Sequence, residues 1–176
     1  MQHPDLPRRP FPRPDVEKAR WQVLRRTTQR GAALLCLALL VAGCSPKSGK
    51  SLYGSNCGIC HHGGDGMPGS VPPLVGRINH IASTPEGRRY LADVLMNGVS
   101  GPIKANGAPY NAEMPPFRYL TDAEVASILN WLSARGDPKV ASPMTAADIA
   151  TARAERKSAG KVASEREALN SAHPIP

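Results

Sequence analysis

Residues 57–61 read Cys57-Gly58-Ile59-Cys60-His61, and what these five residues are for decides the fold around them. Two cysteines three positions apart lie on one turn of a helix, with an imidazole directly after the second. Of the four cysteines in the chain, Cys36 lies inside an apolar run near the N-terminus and Cys44 ends that run, which leaves Cys57 and Cys60 as a pair. A structural zinc site takes four ligands, and no second C-x-x-C exists to supply the rest. A thioredoxin-like dithiol belongs to a βαβ pattern, and the flanking sequence has none. A disulfide across two intervening residues is strained and rare.

C-x-x-C-H is the attachment pattern of c-type haem. Two thiols on one turn reach both vinyl groups of one porphyrin, and the adjacent His61 offers its imidazole to the iron. Working outward, Gly49, Tyr53 and Cys57 fall four apart; Pro72-Pro73-Leu74-Val75-Gly76 follows; residues 97–103 and 110–117 lead through Met114-Pro115-Pro116-Phe117. In this order the pieces resemble the class I c-type cytochromes, over residues 48–136, about half the chain. The resemblance implies an all-α fold, with helices wrapped around one covalently bound haem c and disordered or partly helical tails outside it. It implies that Cys57 and Cys60 carry the haem, that His61 is the proximal iron ligand, and that the Pro72 carbonyl accepts the N–H of His61. Such a bond fixes the ring's orientation and tautomer.

The resemblance also implies Met114 as the distal ligand, on a loop stiffened by two prolines. The other methionines suit the role less well. Met67 lies six residues from His61, Met96 falls within an expected helix beside Val94 and Leu95, and Met144 lies past the domain. His62 adjoins the proximal ligand and His80 has no counterpart in the family, so both read as surface or packing residues.

Helix signals frame this centre. Thr121-Asp122-Ala123-Glu124 has the form of a capping box, followed by Val125, Ile128, Leu129 and Leu132 at helical spacing and by Gly136 as a stop. The resemblance places this last helix across the N-terminal one, with Trp131 at the crossing. Another helix is expected from Pro85 to Gly98, capped by Ser83 or Thr84. A core of this size is thin by itself, and haem fills its centre.

The ends have a different character. Arg25, Arg26 and Arg30 precede residues 31–42, twelve apolar or small residues that close on Gly43-Cys44. A basic flank, a short apolar run and a small-residue boundary describe a secretory signal over residues 1–43. Thr27-Thr28-Gln29 lacks the apolar residues of a twin-arginine signal. Residues 1–22 are long and proline-rich for a signal's basic region, and a start near Val23 or Leu24 gives an ordinary one. Val41-Ala42-Gly43-Cys44 resembles a lipoprotein lipobox, with Val41 where Leu is usual. That resemblance implies cleavage before Cys44, lipidation of Cys44, and a short anchor over residues 44–47. At the other end, residues 137–176 are Ala-rich and polar, with Ile149, Val162 and Leu169 as the large apolar residues of the helical stretch. Helix is expected there, but a packed second domain is not. Residues 145–153 resemble a short extension that follows the last helix in some of these cytochromes.

Composition narrows the function. The net charge of +8 divides unevenly: residues 1–43 hold eight basic and three acidic groups, residues 44–176 fourteen and eleven. No Lys/Arg cluster is interleaved with aromatics, so nucleic acid is not an expected partner. No apolar run reaches the roughly 20 residues of a spanning helix, which excludes a polytopic membrane protein. The expectation is a periplasmic, membrane-anchored monohaem electron carrier, not an enzyme. Its partners would be a dehydrogenase, a quinol-oxidising complex or a terminal oxidase or reductase. The alternative is a haem sensor or peroxidase-like enzyme with an open distal position, to which His62 and Arg118 could be recruited.

Overall fold

A computed structural model describes residues 47–137 and 142–176. The leader, the 44–46 part of the anchor including Cys44, and residues 138–141 lie outside the described residues. Among the described residues, seven helices and one two-stranded hairpin follow in order: α1 (Gly49–Asn56), α2 (Gly58–His61), α3 (Ile78–Ile81), α4 (Pro85–Asn97), β1 (Ile103–Ala105), β2 (Ala108–Tyr110), α5 (Asp122–Ser133), α6 (Ala146–Ala154) and α7 (Ala159–Ala172). Among the described residues no helix is long and apolar enough to cross a membrane.

The helix starts follow their sequence signals. Thr84 caps α4 by accepting the Gly87 N–H, with Pro85 in the first turn. Thr121 and Glu124 form the reciprocal capping box of α5. Along α5, Val125, Ile128, Leu129 and Leu132 are buried together with Leu52 and Tyr53 of α1. The two helices cross at Gly49, where a Cβ would stand 2.2 Å from the Ser127 carbonyl oxygen and 2.8 Å from the Trp131 Cβ. Only a residue without a side chain lets the backbones approach so closely. One turn further on, the Tyr53 and Trp131 rings pack with centroids 4.7 Å apart, and the Arg135 guanidinium lies 5.0 Å above Trp131.

Two expectations need correction. Met144 does not lie past the domain: it is 3% exposed and belongs to the same apolar core as Leu129 and Leu132. Nor is the C-terminal extension a loose tail. One compact unit runs from Lys47 to Pro176, with α6 packed on α4 and α5, and α7 on α4 and β1. Ile149, Ala152, Val162 and Leu169 are buried against the core that precedes them. The apolar residues were too few to form a core of their own, but enough to cover an existing one. Each large side chain so buried contributes about 1.5–3 kcal/mol before the entropy of ordering the helix is counted.

The segment between α4 and Met114, expected as a loop, contains the antiparallel pair β1–β2, with Ile103 opposite Tyr110 and Ala105 opposite Ala108. The turn is Asn106-Gly107, with Asn106 at φ 50°. Asn-Gly between two short runs is a strong hairpin signal, and it was legible in the sequence.

Candidate functional site

Cys57 ends α1, and α2 begins immediately after it, so the turn carrying Cys57, Cys60 and His61 continues the helix that crosses α5. The His61 N–H donates to the Cys57 carbonyl at 2.9 Å and the Cys60 N–H to the same oxygen at 3.2 Å. Cys57 is buried, Cys60 is exposed, and both carry free thiols. Burial pushes the Cys57 thiol up to about 11, helped by the neighbouring Cys60. A thiol held protonated at neutral pH is a poor metal ligand and a poor redox nucleophile.

His61 is buried, and its Nδ1 lies 3.1 Å from the Pro72 carbonyl oxygen. Burial lowers the imidazole's pKa, against the hydrogen bond to Pro72, which raises it; the Arg77 charge lowers it further. A neutral ring that donates Nδ1–H to Pro72 keeps its lone pair on Nε2. The backbone between them is built for this approach. The Gly64 carbonyl accepts from Leu74 and Val75, and Met67 and Val71 exchange backbone hydrogen bonds. Gly66, at φ 68°, lies where a Cβ would meet the Val71 and Pro72 carbonyl oxygens at 2.4 and 2.7 Å.

Met114 comes to the same place from 53 residues later in the chain. Its N–H donates to the Val99 carbonyl at 2.8 Å and its carbonyl accepts the Val99 N–H at 3.0 Å, an isolated antiparallel bridge. Val99 follows Gly98, the C-cap of α4 at φ 76°, where a Cβ would stand 2.6 Å from the Met114 carbonyl oxygen. The Phe117 N–H then donates to the Leu95 carbonyl at 2.7 Å.

Cys57, Cys60, His61, Pro72 and Met114 all border one cleft of about 260 Å³, closed elsewhere mainly by apolar side chains such as Val71, Ile103 and Phe117. The donor set fits haem: two thiols at one rim, an imidazole with its Nδ1–H already used, and a thioether lining the same space. Among the described residues no group of three or more His, Cys, Asp or Glu side chains offers a separate metal site.

The remaining candidates lie elsewhere. Met96 is fully buried in the core, and Met67 is 45% exposed. His62 and His80 are exposed and do not border the cleft. Arg118 does not border it either: its guanidinium donates to the Met96 carbonyl, the Asn97 side chain and the Arg153 carbonyl. Sequence reasoning missed Tyr110 and Ile103, which enter the cleft wall through the hairpin and which Asn106-Gly107 could have signalled.

Comparison with known proteins agrees with this geometry. Residues 45–132 match the family described as cytochrome c oxidase, cbb3-type, subunit III. A cytochrome c-552 of Thermus thermophilus is 36% identical over 151 residues, covering 83% of this chain and 98% of that protein. A second cytochrome c-552 of Thermus thermophilus is 37% identical over 126 residues, covering 69% of this chain and 95% of the relative. The first of these matches covers more of the chain than residues 1–132 could hold, so it reaches into the extension. The chain belongs to the c-type cytochromes, proteins that carry covalently bound haem c and transfer electrons.

Proposed function

We propose that this is a monohaem carrier working on the periplasmic side of a bacterial membrane, with haem bonded to Cys57 and Cys60 and its iron held between His61 and Met114. The observation that carries this reading is that His61, with Nδ1 committed to Pro72, and Met114 border the same apolar cleft. The single C-x-x-C-H motif supports one haem. Haem would supply a one-electron Fe(II)/Fe(III) couple; His61 and Met114 would hold its iron, and the apolar wall would exclude water and tune the couple's potential. A thioether and a buried site both favour the reduced state, and the bond from Nδ1–H to Pro72 makes His61 a stronger donor that opposes them. The open-site alternative has little support, since neither His62 nor Arg118 borders the cleft.

Redox partners would meet the chain at the mouth of the cleft. Among the described residues the exposed large apolar side chains are Ile59, Met67 and Tyr119: Ile59 borders the cleft, Met67 is paired with the lining residue Val71, and Tyr119 donates to the lining residue Asn56. An apolar patch around a cofactor edge suits the small, transient contacts of electron transfer. The partners are a dehydrogenase or quinol-oxidising complex as donor and a terminal oxidase or reductase as acceptor. Lipid on Cys44 would hold the carrier near them and raise its effective concentration.

The test is the ferric absorption spectrum of haem-loaded protein, extended into the near infrared, with Met114→Ala beside it. The expected result is a methionine–iron charge-transfer band present in the wild type and lost in the variant. A high-spin ferric wild type that shifts on adding cyanide overturns the carrier reading. For the anchor, Cys44→Ser should move the protein from the membrane to the soluble fraction, and an unchanged distribution removes the lipid from the account.

A further inference from the structure

The C-terminal extension does more than cover the core. A thioether is a neutral, soft ligand that binds ferric iron weakly, so its residence there depends on how firmly the backbone keeps the sulfur in reach. The backbone device is the Val99–Met114 bridge, and both of its arms run into the same stretch of the extension. On the Val99 arm, the Ser100 N–H donates to the Ala159 carbonyl at 3.3 Å. On the Met114 arm, the Arg153 guanidinium donates from Nη1 to the Arg118 carbonyl at 2.7 Å and from Nη2 to the Leu120 carbonyl at 2.5 Å, while Nε reaches Asp122 at 2.6 Å.

The contacts are reciprocal. Arg118 returns a hydrogen bond to the Arg153 carbonyl at 2.5 Å and reaches back to the Met96 carbonyl at 3.1 Å. Between the two grips, the Lys157 N–H donates to the Asn97 side chain at 3.2 Å, and its ammonium meets the buried Asp93 carboxylate at 2.8 Å. The stretch is thereby seated on the C-terminal half of α4, directly behind the bridge. None of residues 153–159 borders the cleft.

We propose that residues 153–159 form a clasp that keeps the Met114 loop closed, with Arg153 as a positioning residue for the sixth ligand. This rests on Met114 being that ligand. Arg153 suits the task because one planar, permanently charged group spans two carbonyls and a carboxylate that no single lysine could bridge. The bonds are charge-assisted and partly shielded, so losing them shifts the loop's opening equilibrium by more than an exposed ion pair would.

The experiment uses the full haem-loaded chain and compares wild type, R153A, R153K and L169A. Leu169 is buried on α7, outside residues 153–159 although it borders the same pocket as Lys157, so L169A lowers global stability while leaving Arg153 in place. Cyanide association with the ferric protein, which reads methionine release, should be about tenfold faster in R153A. R153K should fall between R153A and wild type, and the reduction potential should drop in the same order. L169A should keep the wild-type rate and potential despite its lower melting temperature.

Equal acceleration in R153A and L169A, or a wild-type rate in R153A, overturns the clasp. Should R153A fail to accumulate, R153K decides alone: a faster rate supports the clasp and a wild-type rate overturns it. A wild type without the methionine band removes the Met114 reading, and the clasp with it. A wild type that has the band while R153A behaves as wild type removes the clasp only.

Discussion

The two walls of the cleft are built differently. The His61 wall is local: Cys57, Cys60, His61 and Pro72 fall within sixteen residues, joined by turn hydrogen bonds and one contact at 3.1 Å. The Met114 wall is assembled from three distant parts of the chain, the end of α4 at Val99, the loop at Met114, and the extension at Arg153 and Ala159. A local wall is fixed wherever its segment folds. A composite wall can be loosened from a distance without touching the ligand, which makes it the adjustable half.

The largest expected contrast is between the two proposed ligands. His61→Ala should remove most haem-loaded protein, because the local wall and the attachment turn share that residue. Met114→Ala should retain covalent haem and the fold while changing the spectrum. Haem content per folded chain measures both, and equal losses would erase the distinction between the walls.

Next in size is Asp93→Asn. This carboxylate is fully buried and meets both Lys157 and Arg89, so neutralising it removes the charge they share and leaves Lys157 to Glu165 and Arg89 to Glu155. A loss of about 1.5–3 kcal/mol in denaturant unfolding is expected. A change below about 1 kcal/mol would mean that the extension is seated by its apolar residues alone.

A matched pair of glycine variants separates the walls more finely. Gly66→Ala presses on the Pro72 carbonyl and Gly98→Ala on the Met114 carbonyl, each in a left-handed conformation. Each should cost about 1–3 kcal/mol. Gly98→Ala alone should weaken the methionine band, and Gly66→Ala should leave it in place. Loss of the band in both variants would show that the walls are mechanically coupled.

The smallest effect is electrostatic. Burial raises the Asp148 pKa, but hydrogen bonds from the Thr145 N–H and hydroxyl and the Arg88 guanidinium outweigh it, so the carboxyl is held below its ordinary value. A depressed carboxylate contributes stability that is fully present above its unfolded pKa and is lost as pH falls through the folded one. Melting temperature against pH should therefore show Asp148→Asn below wild type at pH 7, with the gap closing as the medium becomes strongly acid. A constant gap would assign the effect to packing of α6.

The same division explains what the sequence revealed. The C-x-x-C-H turn and both helix caps on α4 and α5 rest on residues a few positions apart, whose chemistry is readable where they stand, whereas the Pro72 acceptor came from the family resemblance. The place of Met114 beside the cleft was expected from the resemblance of its Pro115-Pro116 context. Arg153 was not, since its partners are backbone carbonyls that leave no trace in the residue types of positions 118 and 120. The burial of Met144, Ile149 and Val162 was missed for a related reason. Counting apolar residues within a segment tests whether it can bury itself, not whether a groove elsewhere is waiting for it. The hairpin, by contrast, was announced by Asn106-Gly107 and overlooked because its surroundings read as a ligand loop.

The crossing at Gly49 also sets an order of events. Its packing partners are Ser127 and Trp131, so α1 must find a helix that lies far along the chain. Contacts of such long sequence separation form late, after the entropy of closing a large loop has been met. Until then the chain around Cys57 stays open and its thiol keeps the acidity of an unfolded cysteine. Folding raises that pKa to about 11 and buries the sulfur. Haem attachment at Cys57, as proposed, would meet an open sulfur before folding and a buried one after it.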